Sequence, residues 1–320
     1  MNYMKAPPLW KKLLVPCVIF LILAATITIF WLNAFGPSSF RPRPKQEFIV
    51  KLNEPQDKII ERLGKEKIFR NKTIFLSFLR GRKIQAGGYL VSPSMWPQQL
   101  VDVLTSKQSE FWVQVPEGLR NEEIVDIFAK ELNWDDEQKA EFLANALQGN
   151  MFPETYLLKS GIAPKEAAKK MLDEFSKKTK SIFAGVSEKK KKQTLIIASL
   201  LQRESYRQEE LPVIAGILQN RLNLGQRLQI DATVQYVMGT STDWWPKLAR
   251  ENYKIESPYN TYVVKGLPPE PICNPSLPAI SAALNPETTE ALYYMHDKAG
   301  YIHTSKDFAE HLENTKTYLR

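Results

Sequence analysis

The stretch Leu195–Tyr206, LIIASLLQRESY, places one carboxylate on the apolar face of a helix. Counting back from Glu204, Leu201 is three residues away, Leu200 four and Ile197 seven. Those spacings share one helix face. Desolvation disfavours the charged form, so a carboxyl among aliphatic neighbours holds its proton more tightly than in water. A carboxylic acid still protonated near neutral pH is what a general acid requires. Periodicity alone leaves a second reading open: a glutamate at the edge of an apolar stripe with its head in water, as on most surface helices.

Outward from this helix the polar residues gather downstream. A second helix has Pro212 in its first turn and Gly225 at its C-terminal cap, and carries Asn220 and Arg221 near its end. In LQIDATVQY, Gln229, Asp231 and Thr233 alternate, which puts them on one side of an extended strand. Ser257–Asn274, SPYNTYVVKGLPPEPICN, is dense in turn residues, and a long ordered loop tends to carry function. Pro275–Ala291 reads as a helix. Ala291–Met295 and Tyr301–His303 read as a hairpin, followed by a last helix from about Phe308. Upstream, Asn121 reads as an N-cap with Glu122 and Glu123 in the first turn, where acidic groups suit the helix dipole. Helices follow over Asp135–Leu147 and Pro164–Phe175, separated by the aromatic loop GNMFPETY (Gly149–Tyr156). Lys189–Lys192 reads as a solvated helix start or loop rather than a nucleic-acid patch.

The N-terminal segment 1–12 carries Lys5, Lys11 and Lys12. It precedes Leu13–Phe35, 23 residues without a charge, enough to span a bilayer core as a helix. Trp10 and Trp31 flank the span, and the preceding lysines put the N-terminus in the cytoplasm with the rest of the chain facing outward. The run is too long, and the residues after it too bulky, for a cleaved signal peptide. Gly36–Lys45 is a proline-rich spacer. Residues 46–115 then hold a small β-α-α-β module: FIVKL, Pro55–Gly64, Ile74–Gly81, AGGYLV, Trp96–Leu104 and EFWVQV. By pattern this module is a binding unit or a structural spacer. Residues 116–320 form the remaining domain.

Net charge is +8, which suits an anionic partner such as a membrane surface or an acidic cell-wall polymer. Nucleic acid is disfavoured, because no basic stripe with interleaved aromatics occurs and the anchor faces the domain outward. Three histidines and two distant cysteines, Cys17 and Cys273, offer neither zinc spacing nor an expected disulfide, so no metal or cofactor is expected.

In their order and spacing, ASLLQRES, ILQNRLNLGQRLQIDATVQY and SPYNTYVVKGLPPEPICNPSLPAISAAL resemble the endolytic murein transglycosylases of the MltG (YceG-like) family. AGGYLV, VPEGLR, NMFPETY and the N-terminal span extend the resemblance over nearly the whole chain. It implies an α+β protein: a transmembrane helix, a LysM-like module over about 46–115 able to bind glycan, and a mixed α+β catalytic domain. It also implies Glu204 as the catalytic residue. Asn220, Gln229, Asp231, Thr233, Tyr259, Asn260 and Tyr262 would line a glycan cleft. The implied partners are peptidoglycan strands, the membrane and peptidoglycan synthases. Some positions depart from the family pattern. Gln202 stands where an acidic residue usually precedes the catalytic glutamate. Glu270 replaces a loop glycine. Around His303 and Thr304, Ile302 and Ser305 replace a glycine and an aromatic. We therefore assign no catalytic role to His303, and His311 reads as a structural histidine.

The implied reaction cuts the β-1,4 bond between N-acetylmuramic acid and N-acetylglucosamine within strands, leaving a 1,6-anhydro end. One carboxyl suffices: it protonates the leaving oxygen, then takes the proton of the muramic acid O6 hydroxyl as that oxygen attacks C1. Ordinary glycoside hydrolysis needs a second carboxylate, for which Asp231 or Glu209 are candidates. A glycan-binding scaffold without catalysis is a third possibility. Asp231 fits two roles at this stage, steadying oxocarbenium-like charge or capping a turn, and the tyrosines fit either stacking on sugar rings or packing.

Overall fold

The computed structural model describes residues 9–106, 108–205 and 207–319, with side chains from residue 14 onward. The orientation argument from Lys5, Trp10, Lys11 and Lys12 rests on side chains outside the described residues, as does Tyr206. The chain divides into two compact units, Met1–Trp112 with Leu157–Ser160, and Val113–Tyr156 with Gly161–Arg320. The protein is mixed α+β with an apolar N-terminal helix.

That helix, α1 (Leu9–Phe35), contains Leu14–Phe35, 22 residues of mean hydropathy 2.5, long and apolar enough to cross a membrane. Phe20, Leu21, Phe30 and Trp31 stand exposed along it. Beyond it the first unit carries β1 (Gln46–Val50), α2 (Gln56–Lys65), α3 (Lys72–Leu79), β2 (Gly87–Val91), α4 (Pro97–Ser106) and β3 (Glu110–Gln114). Strands β1 and β2 pair antiparallel with Phe48 opposite Tyr89 and Val50 opposite Gly87. Alternation sends Phe48 and Val50 inward, where they meet Leu63, Phe75, Tyr89, Leu100 and Leu104 in one apolar cluster. Asn71 caps α3, its side-chain oxygen accepting from the N–H groups of Thr73 and Ile74. The four-stranded sheet runs β1-β2-β3-β4. Its last strand, β4 (Thr155–Lys159), begins in the last two residues of the segment read above as an aromatic loop.

The second unit is mainly helical: α5 (Asn121–Leu132), α6 (Asp136–Asn145), α7 (Pro164–Thr179), α8 (Glu188–Glu204), α9 (Leu211–Asn223), α10 (Asp231–Met238) and α11 (Leu277–Leu284). A hairpin of β5 (Tyr293–His296) and β6 (Ile302–Ser305) and a final helix, α12 (Phe308–Tyr318), complete it. Its core is built on α8, whose residues Thr194–Leu201 are all buried, packed by α9 and α11 through Ile214, Leu218, Ala279 and Ile280. A fully buried central helix has no polar face over that stretch, which is why its apolar run is nearly continuous.

Three expectations change here. Arg120, not Asn121, holds the N-cap position of α5, its N–H donating to the Glu123 carboxylate, while the Asn121 side chain turns inward. The helix expected over Pro275–Ala291 stops at Leu284, because the residue before Pro286 is sterically held out of the α region. LQIDATVQY is not a strand. Gln229 has a left-handed backbone (φ 55°), and Asp231 opens helix α10. An acidic residue in a first turn is a helix-start signal that the alternation masked.

Candidate active site

Glu204 is the last residue of α8, and Ser205 caps the helix in extended conformation. Ser187 starts it, its hydroxyl accepting from Lys190 N–H. The Glu204 side chain is partly accessible, yet protein groups crowd its carboxyl. Burial pushes that carboxyl above the usual range, and the negative charge of Asp231 adds to the effect. The Tyr294 hydrogen bond and the positive charges of His296 and Arg203 oppose it without cancelling it. A helix C-terminus, with its partial negative charge, also favours the protonated acid.

Tyr294 comes from β5 and donates its hydroxyl to Glu204 Oε2 at 2.5 Å. Its own proton is held firmly, since burial and the Glu204 charge raise its pKa well above the tyrosine range. Two residues of α9 fix β5 in place. Arg221, buried and without a carboxylate partner among the described residues, donates to the Leu292 carbonyl at 2.6 Å and the Leu228 carbonyl at 2.8 Å. Asn220 donates to the carbonyls of Thr289 and Ala291 at 2.8 and 3.1 Å. Asn220, expected to touch glycan, thus spends both amide hydrogens on the segment that leads into the strand carrying Tyr294.

His296 lies on the same face of β5, two residues on. Its Nε2 is 2.9 Å from Glu210 Oε2, which also accepts from the Ser205 hydroxyl at 2.6 Å. Burial alone would raise the Glu210 carboxyl; the bonds from Ser205 and His296 and the charges of His296 and Arg207 outweigh it and hold the group below the usual range. The cluster fastens the end of α8 to the hairpin. Glu209, the alternative partner carboxylate, is exposed on the turn beside it.

Asp231 faces the site from the first turn of α10. It is exposed and accepts from Tyr262 at 2.6 Å and Tyr253 at 3.3 Å. Burial and the Asp231 bond and charge keep both phenols protonated. Gln229 is exposed beside it. Thr233 and Asn260 are fully buried. The Thr233 hydroxyl bonds to Ile230 and Thr261, and Asn260 donates to the Tyr253 and Ile255 carbonyls at 3.1 and 2.7 Å. Neither presents side-chain surface to a ligand, so both set the loop that holds Tyr253 and Tyr262 rather than lining a cleft. Tyr259 is partly buried, its ring 4.8 Å from that of Tyr236.

The proline-rich loop is tied down by Asn274. Its Oδ1 accepts from Gly149 and Met151 N–H at 2.8 and 2.9 Å, and its Nδ2 donates to Leu119 O and Asn121 Oδ1 at 3.0 Å each. Gln202 accepts from Ser276 N–H at the start of α11, a structural task at the position where the family pattern has an acid. Arg203 lies 3.8 Å over the Trp245 ring, whose N–H donates to Glu123. Glu270 pairs with Lys192. His303 is engaged by Asp297 at 3.0 Å and stacks on Tyr318, and His311 packs on Tyr293.

The structure thus brings together Glu204 and Asp231, with Tyr253 and Tyr262 on Asp231, and adds Tyr294, Arg221, His296 and Glu210, which the sequence reading had not singled out as site residues. The alternation of Tyr293-Tyr294-Met295-His296 is the signal that could have placed two polar groups on one strand face.

A mixed α+β unit presenting one proton-holding carboxyl, framed by phenols and a second carboxylate, defines a candidate acid–base site. The model of the YceG-like family matches residues 48–317, and the chain belongs to that family. It is 26% identical over 327 aligned residues to an endolytic murein transglycosylase of Bacillus subtilis, covering 89% of each chain. Endolytic murein transglycosylases of Streptococcus pneumoniae are 29% identical over 179 residues, 54% of this chain and 32% of theirs, so the chain spans about a third of those longer relatives. The crystal structure of a yceG-like protein from Listeria monocytogenes shares the fold, with a TM-score of 0.61 at 24% identity over 85% of this chain and 99% of that one.

Proposed function

We propose that this chain is a membrane-anchored endolytic lytic transglycosylase acting on peptidoglycan, with Glu204 as its single acid and base. The observation that carries the reading is the Glu204 carboxyl itself, crowded, raised in pKa and still partly accessible. The names of its relatives support peptidoglycan as the substrate. In the proposed reaction the protonated carboxyl gives its proton to the oxygen of the N-acetylglucosamine leaving group as the muramic acid C1–O bond breaks. The resulting carboxylate then takes the proton of the muramic acid O6 hydroxyl as O6 bonds to C1, giving the 1,6-anhydro end. Tyr294 holds Glu204 in position for both transfers, and acid–base catalysis of this type is worth roughly 10²–10⁴-fold. Asp231, an exposed negative charge facing the site, steadies the positive charge that develops at C1. Gln229, Tyr259 and Tyr262 are the remaining candidates for sugar contact.

In the same reading residues 13–35 anchor the protein in the bacterial cell membrane, N-terminus inside, and 36–45 space it. Residues 46–115 are a LysM-like glycan-binding module, 116–320 are the catalytic domain, and peptidoglycan synthases are partners. The exposed apolar side chains of α1 support the anchor.

Asp231 also suits a muramidase-type hydrolase, as second carboxylate. Mass spectrometry of products from purified sacculi separates the two: anhydro ends support the transglycosylase, and reducing ends support the hydrolase.

A further inference from the structure

A cavity of about 610 Å³ opens in the second unit beside the first half of α8, away from Glu204. Lys192 lies twelve residues before Glu204, about 18 Å along the helix axis at 1.5 Å per residue. Leu147, Leu195 and Pro271 give the cavity apolar walls; Lys191, Lys192 and Glu270 give it charge of both signs.

Three observations mark it as a formed site rather than a gap between loops. First, its two loops are locked together. Asn274 accepts from Gly149 and Met151 N–H, and a Cβ at Gly149 would lie 2.6 Å from Pro271, so the loops touch with no room for a side chain. Second, Gln148 in the wall has its amide orientation set, because its Oε1 accepts from Asn121 N–H at 3.0 Å. Gln148 Nε2 itself is buried, so the residue serves the cavity as a fixed wall. Third, the ion pair at the mouth, Lys192 with Glu270, joins two exposed side chains, and such a pair is held weakly enough to exchange partners.

We propose that this cavity binds the peptide stem of peptidoglycan, on a sugar away from the one being cut; the proposal rests on the function proposed above. A stem matches the cavity's lining: its carbonyl and carboxylate oxygens suit Lys191 and Lys192, its alanine methyl groups suit the Leu147, Leu195 and Pro271 walls, and its amine suits Glu270. The loop Ser257–Asn274 connects the two sites, since Tyr262 reaches Asp231 while Glu270 and Pro271 line the cavity. A requirement for a stem about 18 Å from the acid, by the helix rise, favours cleavage inside a strand over cleavage at its end.

The test uses the full-length protein in detergent, with two probes. Free stem pentapeptide is titrated into the Glu204→Gln protein by calorimetry. Saturable binding is expected, weakened at least fivefold by the Lys191→Glu/Lys192→Glu pair and by Glu270→Lys, each an exposed or partly exposed position suited to substitution without unfolding. Separately, kcat/KM is measured on stem-bearing strands and on strands stripped by an amidase. The parent should prefer stem-bearing strands, and the lysine pair should bring that ratio close to one. No saturable peptide binding, or a ratio the variants leave unchanged, overturns the proposal. Peptide binding in a protein that cleaves no strand leaves the cavity assignment standing and removes the catalytic reading. Cleavage without peptide binding does the reverse.

Discussion

The Tyr294 hydroxyl donates to Glu204 Oε2 at 2.5 Å across ninety residues of chain. The bond favours the ionised carboxyl, while burial and Asp231 favour the protonated one. Glu204 is therefore held between opposing effects. Removing the donor in Tyr294→Phe should raise its pKa further. A general acid works only while protonated, so the alkaline limb of kcat/KM against pH should move upward. An unmoved limb would show that Tyr294 only packs.

Asp231→Asn should do the opposite. The negative charge of Asp231 raises the Glu204 pKa, so neutralising it moves the alkaline limb downward. The groups whose charge acts on Glu204 are Asp231, His296 and Arg203, while Tyr294 acts through its hydrogen bond. A limb that shifts the same way in both variants would contradict this electrostatic account.

A carboxyl with a raised pKa costs the fold stability at neutral pH. Above the ordinary glutamate pKa the folded chain keeps a proton that the unfolded chain releases, so stability falls as pH rises toward the folded value. Glu204→Gln should therefore melt at a higher temperature than the parent at pH 8, and the gap should close as pH falls to 4. A variant less stable than the parent at pH 8 would speak against a desolvated carboxyl.

Asn274→Ala removes four hydrogen bonds that join the Leu119–Asn121, Gly149–Met151 and proline-rich segments. At about 1 kcal/mol net each, the loss should be about 3–4 kcal/mol in chemical unfolding. A change below about 1 kcal/mol would mean that water replaces the amide without cost.

Helix α8 was legible because an apolar run with charge only at its end has few alternatives, and the positions of Pro212 and Gly225 marked the ends of α9 correctly. Asp231 was found, but on the wrong element: a left-handed Gln229 breaks the apparent strand, and the dihedral at a glutamine cannot be read from its identity. Asn220, Thr233 and Asn260 have the polarity of ligand-binding residues, yet each is occupied by backbone groups, a distinction set by tertiary contacts alone. Tyr294 and Arg221 were not assigned to the site for the same reason. A tyrosine in a short strand and an arginine near a helix end are ordinary until packing brings them to Glu204 and to the Leu292 carbonyl.

The central claim is that one carboxyl, Glu204, performs both proton transfers. Purified sacculi incubated with the parent and with Glu204→Gln, followed by mass spectrometry of the released ends, tests it most directly. The account predicts 1,6-anhydro ends from the parent and a loss of at least about 10²-fold in the variant, in line with the contribution of a general acid. Anhydro ends released by Glu204→Gln at the parent's rate would contradict it.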